Sequence, residues 1–126
     1  MLSNKKITIE GTSLFPIQLF HVEQITRVHE DLKLSKPIIY YFHTDEEVRQ
    51  ININTLNHDY YTDVITFDYE DDPDIDENEV IISIDRIHAN AISFNQTPIQ
   101  ELKRIMIHAL LHLAGFNDST TDQQTK

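Results

Sequence analysis

The chain of 126 residues contains no cysteine. This absence excludes disulfide bonds and thiolate metal sites, and it fits a reducing compartment such as the cytoplasm. The sequence also lacks an apolar stretch of about 18 residues, the length that spans a membrane, and no signal-peptide pattern follows Met1. We therefore expect a cytoplasmic protein with no membrane partner. The length predicts one domain, covering residues 1–126.

Basic residues are scarce, with 10 lysines and arginines against 21 acidic residues and a net charge of −11. Eight of the acids lie in residues 68–79, which contain no basic residue, so the rest of the chain has a net charge of only −3. Dense like charge around Pro73 predicts a solvated loop. A calcium loop of the EF-hand type is disfavoured because its glycine and its terminal glutamate are missing.

Two histidines, His108 and His112, lie four residues apart near the end of a helical pattern. On an α-helix such positions differ by about 40° in direction and about 6 Å in height, so one cation can bind both imidazoles. Gly115 permits a chain reversal after the helix, which brings the Asp118 carboxylate back toward them. Zn²⁺ accepts these ligand types and keeps a fourth position for water in catalytic sites. The pattern predicts a metal site.

The spacing of the two histidines is weak support by itself, because the chain has seven histidines. Two half-buried helix histidines without a metal give the same spacing. Apolar side chains around the pair favour the metal, since unpaired imidazoles are costly in apolar surroundings. These apolar residues are Leu102, Ile105, Met106, Leu110, Leu111 and Leu113.

The run from His108 to Asp118 resembles the signature of the YbeY endoribonucleases, His-Gly-x-Leu-His-Leu-x-Gly-Tyr-Asp-His. Three upstream segments resemble the same family in the same order, so the likeness covers roughly residues 45 to 118. These are Ile51-Asn52, Thr62-Asp63-Val64-Ile65-Thr66-Phe67 and Val80-Ile81-Ile82-Ser83-Ile84.

Three positions depart from the family pattern. Ala109 replaces the first glycine of the signature, a change that a helix interior tolerates well. Asp118 replaces the final histidine, which keeps a zinc ligand but makes the site harder in character and leaves the identity of the metal open. Leu56 falls where the family usually carries an arginine, so a phosphate contact is missing there. Substitutes for it are Arg49, Arg86 and Arg104.

The resemblance also suggests which residues meet the substrate. Arg104 lies one turn before His108 on the same helical face, so it either holds a phosphate beside the metal or marks a solvent-facing end of the helix. His58 lies where the family's substrate cleft begins, although a turn residue is the commoner interpretation. Tyr60 and Tyr61 either stack on unpaired bases or pack in the core. Asp63 either orients a histidine ligand or ties down the start of a strand.

Residue patterns predict an α+β domain, in the order strand, helix, strand, helix, strand, strand, helix, helix. Pro16 opens the first helical pattern, Thr44 and Glu47 form a capping box, Asp85 is a candidate helix cap, and Thr97-Pro98 starts the histidine helix. The resembled family has a four-stranded mixed sheet with helices packed on it, so we expect the metal helix in the core. Residues 120–124 begin another helical pattern, so the chain is either truncated or lacks a last helix.

The resemblance implies a metal-dependent endoribonuclease that prefers single-stranded RNA. It further implies maturation of ribosomal RNA at the 3′ end of the small subunit, with RNA and ribosomal particles as partners. His108, His112 and Arg104 are then the catalytic residues, and Arg49, His58 and Arg86 bind substrate. A ribosome-assembly protein with a structural metal and no turnover is the alternative. A zinc peptidase is disfavoured, because Ala109 stands where that class needs glutamate as general base.

Overall fold

A five-stranded mixed sheet and four helices make up the computed structural model, which describes residues 1–116. The spatial order of the strands is β1-β2-β3-β5-β4. Strands β2, β3 and β5 are parallel, and β1 and β4 are antiparallel edge strands. The strands are β1 Leu2–Ser3, β2 Ile7–Glu10, β3 Ile38–His43, β4 Val64–Phe67 and β5 Asn78–Ser83; the helices are α1 Leu19–Asp31, α2 Asp45–Leu56, α3 Ile84–Ser93 and α4 Pro98–Leu113.

The α+β class and the order of the predicted elements are confirmed, but the sheet has five strands rather than four. The additional strand is β1, which pairs with β2 across a tight turn. In that turn the Asn4 side chain accepts hydrogen bonds from the backbone of Lys6 and Ile7, both at 2.9 Å. A side-chain oxygen therefore closes a hairpin that is too short to show as a hydrophobic pattern.

Two helix starts differ from the prediction. Helix α1 begins at Leu19, three residues after Pro16, where the Gln18 backbone N–H donates to Nδ1 of His21 at 3.2 Å. Helix α3 is capped by Ser83, whose hydroxyl accepts a hydrogen bond from the backbone of Arg86, and Asp85 lies inside its first turn. The capping residues predicted for α2 and α4 are confirmed.

Buried side chains lie on both faces of the sheet. Alternate residues of β2, β3 and β5 point toward α1, α3 and α4 and form the larger cluster. On the other face, Val48 of α2 packs with Ile65 and Ile81. Helix α4 thus belongs to the main layer of helices, and α2 covers the opposite face near β4. In the part of the chain that the structure describes, no helix is long and apolar enough to cross a membrane.

Candidate metal and RNA site

Helix α4 buries one side, and its two histidines lie next to that side without being fully buried. Thr97 caps the helix and Pro98 occupies its first turn, so its start is fixed by local chemistry. Helix α4 packs in the core as expected, while His108 is half-buried and His112 is exposed. The buried residues of α4 are Glu101, Leu102, Ile105, Met106, Ala109, Leu110 and Leu113.

A buried hydrogen bond joins α4 to the sheet. The Tyr40 hydroxyl donates to the Met106 carbonyl at 2.9 Å, and the Tyr40 side chain is fully buried in β3. Burial raises the pKa of the Tyr40 phenol, because the phenolate would lose its hydration. The Met106 carbonyl lies two residues before His108, so this hydrogen bond helps to fix the position of both histidines relative to the sheet.

The predicted metal ligands lie partly outside the described residues. His108 and His112 stand one turn apart on α4, whereas Asp118 follows the last described residue. Within residues 1–116, no group of three or more histidine, aspartate or glutamate side chains is placed to hold a metal ion. Two imidazoles one turn apart on a helix fit a Zn²⁺ site that takes its third ligand from elsewhere.

Arg104 lies one turn before His108 and forms a forked ion pair with Glu101. Its Nε donates to Oε1 of Glu101 at 2.9 Å, and its Nη2 donates to Oε2 at 2.8 Å. The side chain of Glu101 is 1% exposed, whereas that of Arg104 is 54% exposed. Hydrogen bonding to Glu101 raises the pKa of Arg104, and the nearby charge of Asp63 acts in the same direction. Arg104 is therefore a half-exposed residue whose guanidinium is held by a buried carboxylate.

Arg86 lies near the same acidic residue, Asp63, at the start of α3. Its Nε donates to the Asp45 carboxylate at 3.0 Å, and the Ser83 hydroxyl donates to the same oxygen at 3.1 Å. The Asp45 hydrogen bond raises the pKa of Arg86, and the charge of Asp63 contributes. Asp63 is hydrogen-bonded through its carbonyl to Ser83, the cap of α3, and its carboxylate shares the Asn90 amide with Glu101. The structure therefore brings Arg86 and Arg104 to one region.

Two cations flank Tyr61, which lies in the loop of residues 57–63. The guanidinium carbon of Arg86 is 5.2 Å from the centre of the Tyr61 ring, and that of Arg49 is 5.6 Å from it. Arg49 also pairs with Asp59 at 2.9 Å, and this charge raises its pKa. Tyr61 remains 47% exposed, so the core-packing interpretation is wrong for this residue. The result is an exposed aromatic ring beside two cations.

His58 pairs with Tyr60, which lies in the same loop. Their rings are stacked with centres 5.3 Å apart, and the Tyr60 hydroxyl lies 3.0 Å from Nδ1 of His58. Tyr60 is 50% exposed and is not a core residue either. The loop is held by Asn52, whose buried side chain donates to the Tyr60 carbonyl at 3.1 Å.

Three residues of this region, Asn52, Asp45 and Glu101, have roles that the sequence did not predict. Asn52 was present in a segment that resembles the family, and Glu101 precedes Arg104 by three residues, a spacing that permits an ion pair on a helix. Asp45 is 41 residues from Arg86, so no local pattern indicates that contact. Asp63 accepts a hydrogen bond from Asn90 at 3.2 Å, and its backbone carbonyl accepts one from Ser83 at 2.9 Å, which ties down the start of β4.

A family model described as Endoribonuclease YbeY matches residues 4–126. The chain belongs to the YbeY family. Proteins named Endoribonuclease YbeY from Cytophaga hutchinsonii and Phocaeicola vulgatus are 45% and 44% identical to it, over 68% and 64% of this chain. The one from Karelsulcia muelleri is 43% identical over 72% of this chain. These alignments cover 59%, 58% and 64% of the relatives, so the matched part is less than two thirds of their lengths.

A solved structure has a similar fold. A Thermotoga maritima protein determined in solution superposes with a TM-score of 0.63, covering 93% of this chain and 77% of its own, at 23% sequence identity. At that identity the likeness concerns the fold alone. It supports a mixed sheet with helices packed on it as the architecture that presents α4.

Proposed function

We propose that this YbeY protein is a metal-dependent endoribonuclease that prefers single-stranded RNA. Family membership supports the reaction class, since the relatives described above are named endoribonucleases. We further propose that it acts in the cytoplasm in ribosomal RNA maturation, at the 3′ end of the small-subunit RNA, and that ribosomal particles are its partners.

The observation that carries the proposal is the arrangement of α4. Neither His108 nor His112 is fully buried, and Arg104 precedes His108 by one turn with three of its five donors not used by Glu101. We propose that His108, His112 and Asp118 hold one divalent ion, with Zn²⁺ the best match to two imidazoles and one carboxylate. Such an ion, when bound, lowers the pKa of a water molecule and polarises a phosphoryl oxygen.

The protein's own residues have binding and orienting roles in this proposal. Arg104 binds a phosphate oxygen next to the metal ligands, and Arg86 binds a neighbouring phosphate. Tyr61 stacks on an unpaired base, because its ring is half-exposed and flanked by cations. Arg49 on α2 and His58 in the loop of residues 57–63 make further contacts with the RNA strand. Bases in a duplex are already stacked, which explains a preference for single strands.

The first experiment measures cleavage of an unstructured RNA by the purified protein loaded with Zn²⁺. We expect His108→Ala to abolish cleavage. We expect His112→Ala to abolish cleavage too and to lower the metal content. His88→Ala is the matched control, because His88 is an exposed histidine on α3 that belongs to neither proposed group. Cleavage that survives in His108→Ala, or a wild-type protein without metal, contradicts the proposal.

A ribosome-assembly protein without turnover is the second candidate. One observation favours it: Leu56, at the end of α2, replaces the arginine usual in the family and supplies no cation. Binding of RNA or of ribosomal particles by the zinc-loaded protein, with no cleavage over hours, would support this function. A peptidase finds no support, since Ala109 is buried and has no carboxylate. Digestion of casein that a chelator inhibits would reverse that judgement.

A further inference from the structure

Glu101 is the one carboxylate side chain among residues 1–116 that is buried. It lies in the first turn of α4, where the positive end of the helix dipole favours a negative charge. A buried carboxylate is costly unless charged or polar partners satisfy its oxygens. Glu101 meets this condition because Arg104 donates a hydrogen bond to each of the two Glu101 oxygens and Asn90 donates one more.

The pairing leaves one edge of the Arg104 guanidinium free. Nε and Nη2 bind Glu101, so Nη1 and the second hydrogen of Nη2 point elsewhere. The guanidinium carbon lies 6.0 Å from the centre of the exposed Phe94 ring, and the arginine side chain is half-exposed. One edge of the fork is therefore held by a buried carboxylate, and the other edge is available to an anion.

Asn90 fixes the carboxylate in turn. Its Nδ2 donates to Oε2 of Glu101 at 3.4 Å and to the Asp63 carboxylate at 3.2 Å. A neutral amide thus lies between two acids on different elements, α4 and the start of β4. The Asn90 amide thus links the orientation of Glu101 to Asp63, whose charge also acts on Arg86.

We propose that Glu101 is a positioning residue, which holds Arg104 so that its free edge binds a phosphate of the RNA beside His108. This inference rests on the proposed function. A planar fork with two parallel donors matches two phosphate oxygens, and its benefit depends on orientation as well as on charge. Arg104 alone, on a flexible side chain, would have to lose that freedom each time RNA binds.

The test compares four variants of the zinc-loaded full chain. They are Glu101→Gln, Arg104→Ala, the combination of both, and Arg104→Lys, with Glu23→Gln on the exposed face of α1 as the matched loss of one carboxylate. We expect Glu101→Gln and Arg104→Ala each to raise KM for single-stranded RNA about tenfold, the loss of one good charged contact, with smaller changes in kcat. Metal content should stay at the wild-type level. The double variant should be no worse than Arg104→Ala.

Arg104→Lys covers the case in which Glu101→Gln does not fold. Position 104 is half-exposed and lysine keeps the charge, but an ammonium cannot pair with Glu101 by one edge and offer a second edge to phosphate. We expect it to bind RNA as weakly as Arg104→Ala. Full RNA affinity in Arg104→Lys would overturn the inference, as would an unchanged KM in folded Glu101→Gln or strictly additive effects in the double variant.

Nuclear magnetic resonance separates this inference from the proposed function. In RNA-free protein, the Arg104 Nε–H should exchange slowly with solvent and become fast in Glu101→Gln but not in Glu23→Gln. Fast exchange in the wild type would overturn the positioning role. A wild-type protein that holds Arg104 rigidly yet neither binds nor cleaves RNA would instead refute the proposed function, and the phosphate role with it.

Discussion

The hydrogen bond from Tyr40 to Met106 is the most direct test of how the sheet supports α4. Replacing Tyr40 by phenylalanine removes the hydroxyl and leaves the ring in its buried place. The Met106 carbonyl keeps its helical partner four residues later, so the variant loses one net hydrogen bond without orphaning an acceptor. We expect a loss of about 1 kcal/mol in the free energy of unfolding.

That loss translates into a measurable shift of the melting temperature. Proteins unfold with an entropy of about 2.1 cal/mol/K per residue, so 1 kcal/mol corresponds to about 4 °C for a domain of this size. Thermal unfolding followed by circular dichroism gives this shift, and urea unfolding at 25 °C gives the free energy independently.

Tyr41→Phe is the matched control, because Tyr41 is the next residue on β3 and lies half-buried on the opposite face. We expect the free energy of unfolding of Tyr41→Phe to stay within about 0.5 kcal/mol of the wild-type value. Equal stabilities of Tyr40→Phe and Tyr41→Phe would refute the reasoning, since the buried hydroxyl would then contribute nothing. A loss above about 3 kcal/mol would also refute it, because it would indicate a repacked core.

Four further predictions concern the loops, the pH dependence and RNA binding. Lys36→Met should cost about 2 kcal/mol and speed proteolysis of residues 68–77, because the Lys36 ammonium donates to three backbone carbonyls of that loop. Asn52→Ala should lower the urea midpoint by an amount equivalent to about 1 kcal/mol or more, since the buried amide that holds the Tyr60 carbonyl is lost. The pKa of Tyr40 is raised by folding, so the native state retains a proton that the unfolded state releases above about pH 10; stability should fall as pH rises beyond that value, and less steeply in Tyr40→Phe. If three arginines contact phosphates, log K for single-stranded RNA should fall with log salt with a slope of about −2, and a slope near zero would contradict those contacts.

Sequence reasoning succeeded where one short segment contains all the chemistry of a feature. Thr44 with Glu47, and Thr97 with Pro98, define helix starts through contacts within four residues, and both are confirmed. The two consecutive strands of the predicted order, β4 and β5, are antiparallel neighbours joined by the acidic segment. Asp85 failed as a cap because Ser83, two residues earlier, has the same ability and lies where the buried strand ends.

Contacts between distant segments explain most of what sequence reasoning missed. Lys36 is 33 to 39 residues from the carbonyls that it binds in the acidic loop, and nothing local to either segment indicates the contact. The loop was predicted to be solvated, but only four of its eight carboxylates are exposed. Its backbone is bound by the Lys36 ammonium, and the Glu70 carboxylate accepts hydrogen bonds from Ser35 and Asn78. The roles of Asp118 and of the residues after it lie outside the described part of the chain and stay predictions.

The charge arrangement around the proposed site constrains how it can recognise RNA. Arg49 pairs with Asp59, Arg86 with Asp45 and Arg104 with Glu101, so each cation already has a carboxylate partner. Asp63 and Glu46 add to these partners, so the cluster has no net positive charge and, in a chain of net charge −11, lacks the long-range attraction that basic proteins have for any polyanion. Under the proposed function, affinity must therefore come from short-range contacts, namely oriented guanidinium edges and base stacking. Such contacts form only when a flexible strand fits the site, and this physical requirement favours unpaired RNA over duplexes.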